Sequence, residues 1–294
     1  MKKVFQFASL AILLASCSAN EEMPEQDNLL GTPITITAGV GDMQTRAGYS
    51  NENLLSYFYI NIDQEGTEYD YYNVRMVKQS DNSYAPQNTA LIWGPTKNNV
   101  TIQAYYLGPD NDFNHSYSTS YFVEDNDLLG ATSAVNGDIT ISGSTIAIRF
   151  RHIMSKLDVT LTWGEEFSDV TDKSTQAPLV YGLGTPFYPI IDYVTSTVKA
   201  YSFGMNILPI TSTPLFYEGI FIPEYTNPYL EIQTTINGES RTFVANIPVP
   251  AEGFKQGYRY SLNVCIGGNS AEVGDVVIQK GWEDGGSGGD FAIQ

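Results

Sequence analysis

The sequence predicts an all-β protein built from two tandem antiparallel β-sandwich domains. Tyrosine, threonine, isoleucine and valine are frequent and are interrupted by 26 glycines and 14 prolines, which is typical of short strands joined by turns. From residue 32 onward, apolar and polar residues alternate repeatedly with a period of two, and no stretch has a convincing helical period. A length of 294 residues corresponds to about two domains.

The charge balance excludes two classes of partner. Asp and Glu number 33 against 15 Lys and Arg, which gives a formal net charge of −18. Nucleic acid is a polyanion and requires a basic footprint, which this sequence lacks. A polybasic patch for membrane surfaces is excluded for the same reason.

The N-terminal segment is predicted to be a lipoprotein signal peptide, residues 1–16. Lys2 and Lys3 precede an apolar stretch that is too short to span a bilayer. Residues 14–17, Leu-Ala-Ser-Cys, resemble the bacterial lipobox, in which the cysteine becomes the acylated first residue. We therefore expect Cys17 to carry the lipid that anchors the protein to the outer membrane. The polar residues 17–31 are expected to form a flexible tether.

The remaining chain divides into an N-terminal domain, residues 32–143, and a C-terminal domain, residues 144–294, with a Gly-rich tail. The first predicted strand places four apolar side chains on one face, and these are Ile34, Ile36, Ala38 and Val40. Apolar residues occupy even positions over 146–150 and odd positions over 157–163. This change of phase predicts either a bulge or a crossing between two sheets, and the domain boundary is placed just before it, near Gly143.

One hairpin can be predicted with its register. Asn237 and Gly238 are a signal for a two-residue type I′ turn. Pairing Ile236 with Glu239 then places Ile232 opposite Phe243, so that apolar residues face apolar ones and polar residues face polar ones.

Residues capable of catalysis are sparse, and no enzyme activity, metal site or cofactor is predicted. With Cys17 acylated, Cys265 has no disulfide partner and is expected to be a buried strand thiol rather than a nucleophile. His152 lies in an alternating apolar strand and is expected to be structural rather than a general base. Several aspartates resemble fragments of calcium loops but lack the complete series, so turns explain them better: Asp110, Asp112, Asp125 and Asp127.

Clustered tyrosines leave a binding role open. Exposed tyrosines on loops can stack on sugars or proteins, whereas alternate tyrosines on strands fill half-buried faces, and the second interpretation is favoured. The residues concerned are Tyr69, Tyr71, Tyr72, Tyr105, Tyr106, Tyr117 and Tyr121.

Four segments resemble the fimbrillin-like lipoproteins, the subunits of type V pili. Residues 150–159 resemble a strand of that family with the pattern Phe-x-His-x-x-Ser/Ala-Lys-Leu-x-Val. Residues 34–40, followed by Thr-Arg-Ala at 45–47, resemble the opening of the family, and residues 277–282 resemble its closing segment. The lipobox fits the same family, and the resemblance covers most of the mature chain.

The resemblance implies two transthyretin-like β-sandwich domains and assembly by strand exchange. An arginine-specific protease would cut between Arg46 and Ala47, the first strand would leave, and a strand from another pilus subunit would fill the groove. An open sheet edge is a template for such a strand.

The C-terminal end is the donor strand expected from this chain, although a frayed tail is an equally good interpretation. Its apolar residues alternate in two groups, Val276 with Ile278 and Phe291 with Ile293. The alternative function is that of a monomeric, lipid-anchored surface protein that binds a ligand such as a glycan.

Overall fold

The computed structural model describes most of the chain after the tether. The described residues are 29–40, 55–64, 67–95, 100–108, 127–184, 190–192, 196–200, 203, 206–207, 213–268, 270–274, 276–280 and 292–293. They form an all-β structure with one 3₁₀ turn at Glu165–Phe167, so the predicted fold class is confirmed at this level. In this part of the chain, no helix is long and apolar enough to cross a membrane.

The first sheet has eight strands within the described residues, in the order β1-β4-β3-β2-β5-β6-β8-β7. The strands are β1 (Thr35–Val40), β2 (Tyr57–Gln64), β3 (Tyr71–Lys78), β4 (Tyr84–Pro86), β5 (Val100–Tyr106), β6 (Leu129–Thr132), β7 (Ile139–Ser142) and β8 (Thr145–His152). Strand β1 also pairs with β8, so the sheet closes on itself through β1.

The second sheet has ten strands in the described residues, with the order β14-β11-β15-β9-β17-β19-β20 along its main path. The strands are β9 (Ser155–Trp163), β10 (Lys173–Thr175), β11 (Leu179–Gly184), β14 (Asn206–Ile207), β15 (Phe216–Ile236), β16 (Glu239–Asn246), β17 (Tyr258–Ile266), β18 (Ala271–Val273), β19 (Val277–Lys280) and β20 (Ala292–Ile293). Strands β12 (Ile190–Asp192) and β13 (Thr197–Lys199) form a separate pair.

The prediction of purely antiparallel sheets is wrong. Strand β1 runs parallel to β8, and β9 runs parallel to β17. Partners in a parallel pair must be connected by a long crossover, so their pairing cannot be read from a local turn. Both sheets are therefore mixed.

The change of phase after residue 150 is a crossing between the two sheets. Strand β8 belongs to the first sheet and β9 to the second, and Ile153 and Met154 between them are buried. The Ser155 hydroxyl donates to the Lys255 carbonyl at 2.6 Å and fixes the start of β9. The boundary predicted near Gly143 lies before β8, whereas the chain changes sheets after it.

The predicted hairpin is confirmed residue by residue. Ile236 pairs with Glu239 and Ile232 with Phe243, as expected. Asn237 and Gly238 have φ angles of 51° and 80°, the left-handed conformation that a type I′ turn requires at both positions.

The prediction that Cys265 is buried is wrong. Its neighbours Val264 and Ile266 point into the second core, and Cys265 itself is exposed. Side chains alternate between the faces of a strand, so the burial of Val264 and Ile266 directs the thiol to the opposite face.

Candidate functional site

Strand β1 is the element on which the closure of the first sheet depends. It pairs in parallel with β8 along its full length, from Thr35 opposite Thr145 to Val40 opposite Phe150. The strand that carries the Phe-x-His pattern is therefore the direct neighbour of the N-terminal strand. This pairing was not predicted from the sequence.

The opposite side of the N-terminal segment is held by fewer contacts. Ile36 pairs with Tyr84 of β4, and the Ile34 amide donates to the Leu91 carbonyl at 2.9 Å. Just upstream, the Trp93 amide donates to the Thr32 carbonyl at 2.9 Å. The segment is thus inserted between β8 on one side and residues 84–93 on the other.

The alternation predicted for β1 is present. Ile36 and Val40 are each 1% exposed, Ile34 is 9% exposed and Ala38 is half-buried. Burying an aliphatic side chain of this size contributes about 1.5–3 kcal/mol, so the three buried ones together contribute roughly 5–9 kcal/mol. Loss of β1 would therefore expose a strand-long apolar groove.

Aromatic side chains form the floor of that groove. The Phe58 ring packs edge-on against Phe150 at 5.2 Å and against Tyr84 at 4.8 Å between centroids. The Tyr84 hydroxyl donates to the Leu55 carbonyl at 2.8 Å, and burial raises the pKa of Tyr84 to about 12. The floor is aromatic and buried, which suits it to any strand that presents apolar side chains at alternate positions.

Two polar pairs, one of them fully buried, hold the C-terminal end of β8. Arg151 Nε donates to both carboxylate oxygens of Asp138, at 2.8 and 2.9 Å. His152 Nδ1 lies 2.6 Å from Asp127 Oδ2, and both side chains are buried. His152 is therefore part of a buried structural pair, and its expected structural role agrees with this placement.

The two groups of the predicted donor segment lie in different places. Val276 is buried and Ile278 is half-buried against the second core, next to β17. Ile293 lies in β20, which makes only two residue pairs with β19: Val277 with Ile293, and Ile278 with Ala292. Phe291 lies outside the described residues.

Three further predicted positions, Cys17, Arg46 and Ala47, also lie outside the described residues. Among the residues that the structure does describe, no group of three or more histidine, cysteine or acidic side chains could hold a metal ion.

The tyrosines with described side chains mostly cover the sheet. Tyr105 and Tyr106 are buried, Tyr69 and Tyr71 are half-buried, and Tyr72 is 59% exposed. The favoured interpretation, that strand tyrosines fill sheet faces, agrees with this burial. Tyr117 and Tyr121 are outside the described part of the chain.

Comparisons with known proteins identify one family from the sequence and similar folds among solved structures. The sequence model of a family described as fimbrillin-like matches residues 45–282. No curated protein is significantly similar in sequence. A candidate cell adhesion protein from Bacteroides uniformis is 17% identical with a TM-score of 0.59, covering 85% of this chain and 98% of that one. Another from Bacteroides ovatus is 14% identical with a TM-score of 0.56, covering 87% and 99%.

Proposed function

This chain belongs to the fimbrillin-like family, and from that premise we propose that it is a structural or adhesive subunit of a cell-surface pilus. The observation that carries the proposal is the position of β1, which closes the first sheet. In chain order β1 precedes Arg46, so a cut between Arg46 and Ala47 would separate β1 from the rest of the domain.

The physical consequence of the cut is a change in how β1 is held. A tethered strand competes for its groove at the high effective concentration that a short linker gives. After cleavage the strand can dissociate and be diluted, and the apolar groove above Phe58 and Phe150 then favours any strand that covers it. The family match begins at residue 45 and therefore includes the proposed cleavage position.

The donor segment must come from another pilus subunit, and the C-terminal end remains the proposed source. Strand β20 makes two residue pairs and can separate easily from β19. Strand β1 makes six pairs with β8, so filling the whole groove would need more chain than β20. Recruiting β19 as well would uncover Val276, which is 6% exposed. We therefore assign the first contact to the tail that contains Phe291 and Ile293.

Export and architecture complete the proposal. Acylation of Cys17 would anchor the uncut protein at the outer membrane surface, and metabolic labelling of wild type and Cys17→Ser with a palmitate analogue tests this. The two sheets with their separate core clusters are the basis for proposing two transthyretin-like domains.

The alternative function is a monomeric, lipid-anchored surface binding protein. It is favoured by the closed first sheet, because with β1 in place the core is covered without a partner strand.

Cleavage at Arg46 distinguishes the two functions. Wild type and Arg46→Ala are treated with an arginine-specific protease and examined by size-exclusion chromatography and N-terminal sequencing. We expect the wild type to form multimers that begin at Ala47 and the variant to stay monomeric. Wild-type protein that is cut at Arg46 and remains monomeric would favour the alternative.

A further inference from the structure

An open pocket of about 390 Å³ lies beside β3 and the segment that follows β4. Arg75, Asn73 and Tyr59 line it from β3 and β2, and the segment 87–89 lines it from the other side. This pocket lies outside the β1 groove. The strand exchange proposed above uses neither the positive charge of Arg75 nor the side-chain amides that line the pocket.

Arg75 differs from three other arginines that the structure describes, Arg151, Arg241 and Arg259. The guanidinium groups of Arg151, Arg241 and Arg259 are each paired with a carboxylate. Within the described part of the chain, the Arg75 side chain forms neither a hydrogen bond nor an ion pair, and its Nε is buried without a partner. Its guanidinium carbon instead lies 4.3 Å from the centroid of the Tyr57 ring.

Asp and Glu outnumber Lys and Arg in this chain by about two to one, 33 to 15. An arginine without a carboxylate partner is therefore informative, because acidic side chains are plentiful. A guanidinium offers a planar set of donors that matches a carboxylate through two parallel hydrogen bonds. The Tyr57 ring holds the charge in place without occupying those donors. Arg75 is thus positioned to receive an anionic group from outside the chain.

A β-bulge directs a second donor towards the same pocket. The register between β2 and β3 shifts between Ile60 and Ile62, and Asn73 there has a φ of 54°. Its backbone amide donates to Asn61 Oδ1 at 2.7 Å, and its Oδ1 accepts from the Tyr105 hydroxyl at 2.5 Å. Because its oxygen is occupied, Asn73 can offer its amide nitrogen to a ligand. Bulges of this kind often re-aim side chains at sites.

The remaining lining groups are uncharged, and all of them except Val74 are polar. Gln87, Asn88 and Thr89 are all exposed, so amide and hydroxyl groups surround the single positive charge. This combination fits a ligand with one carboxylate and several hydroxyl groups. A volume of about 390 Å³ is at the lower end of ligand pockets, which measure roughly 300–1,000 Å³, and it accommodates one sugar ring.

We propose that this pocket binds an acidic sugar of a glycan, a uronic or a sialic acid, with the sugar carboxylate on Arg75. The net charge of −18 disfavours anions at long range. That repulsion is screened beyond about 8 Å at physiological salt, so the local Arg75 charge decides binding.

The test is a titration of the full chain, followed by amide chemical shifts and calorimetry. The probes are N-acetylneuraminic acid, D-glucuronic acid, its uncharged counterpart D-glucose, and a short poly-glutamate peptide. We expect at least one acidic sugar to shift the amide signals of residues 73–75 and 87–89. Glucose should bind at least about tenfold more weakly than that acidic sugar, which corresponds to a difference of about 1.4 kcal/mol in binding free energy.

Matched variants assign the effect to the pocket. Arg75→Gln is expected to weaken acidic-sugar binding by about tenfold or more, whereas Arg241→Gln, which removes an exposed arginine of β16, leaves it unchanged. If Arg75→Gln fails to fold, the double variant Asn88→Ala/Thr89→Ala in the exposed segment takes its place, with the same expected weakening. The proposal is overturned if neither acidic sugar binds, if glucose or the glutamate peptide binds as tightly, or if the pocket variants bind like the wild type.

Discussion

At the scale of single residues, the buried carboxyl of Asp127, which lies against His152, is expected to make stability depend on pH. Burial raises the pKa of the Asp127 carboxyl above its ordinary value, and the nearby His152 and Lys156 oppose this to a smaller extent. The unfolded chain titrates near the ordinary value of about 3.9, so the folded chain holds the proton to higher pH. Stability is therefore lost as pH rises from about 4 through the raised pKa.

Replacing Asp127 with Asn removes that titration and keeps a side chain able to hydrogen-bond His152 Nδ1. As pH rises from 4 to 8, we expect the wild type to lose stability and the Asp127→Asn variant to lose less. The variant's free energy of unfolding, measured by urea denaturation across that range, should therefore rise relative to that of the wild type. Parallel pH profiles for the two proteins would show that this carboxyl does not control stability.

Ile36 tests the contribution of β1 at the same scale. Removing a buried isoleucine side chain down to alanine costs about 2–5 kcal/mol, and Ile36 is 1% exposed. We expect that loss in the uncut Ile36→Ala chain, and a change within about 0.5 kcal/mol for the exposed neighbour in Thr37→Ala. Once multimers have formed, the difference should vanish, because β1 has left. A persistently less stable Ile36→Ala multimer would mean that β1 is retained.

At the scale of elements, the sequence predicts local pairings well and distant ones poorly. The hairpin between β15 and β16 follows from Asn237 and Gly238, because a two-residue turn fixes its register. The parallel neighbours β1 and β8 are separated by more than a hundred residues, and no turn signal connects them. The alternation of Ile36 and Val40 predicts a buried face without identifying the partner strand.

The same distinction applies to the pocket beside Arg75. Its position opposite Tyr59 depends on the pairing of β3 with β2 and on a bulge at Asn73. Neither the charge count nor the tyrosine cluster predicts an unpaired arginine there.

Gly238 provides a test of the hairpin. It has a φ of 80°, and an added Cβ would meet no atom within 4 Å, so only the backbone conformation opposes substitution. We expect Gly238→Ala to lower the free energy of unfolding by about 1 kcal/mol, with Ser240→Ala in the exposed part of β16 as a neutral control. Equal stability of the two variants in urea denaturation would show that this turn does not demand glycine.

At the scale of the whole molecule, the proposed function makes stability and assembly depend on the same strand, β1. With β1 in place, the first sheet of the described residues is closed, because β1 pairs with both β4 and β8. Without it, β8 and residues 84–93 would lose their shared neighbour. The proposed protease cut therefore converts a self-contained fold into one that needs a strand from another subunit.

Hydrogen exchange along β8 tests this account most directly. Deuterium uptake is followed in peptides that span residues 145–150, in the uncut chain, in the chain freshly cut at Arg46, and in the resulting multimers. Peptides from the β15–β16 hairpin serve as the internal reference. We predict that the β8 amides are protected in the uncut chain, exchange rapidly after the cut, and become protected again in the multimers. Protection that stays unchanged through all three states would contradict the exchange of β1 for a donor strand.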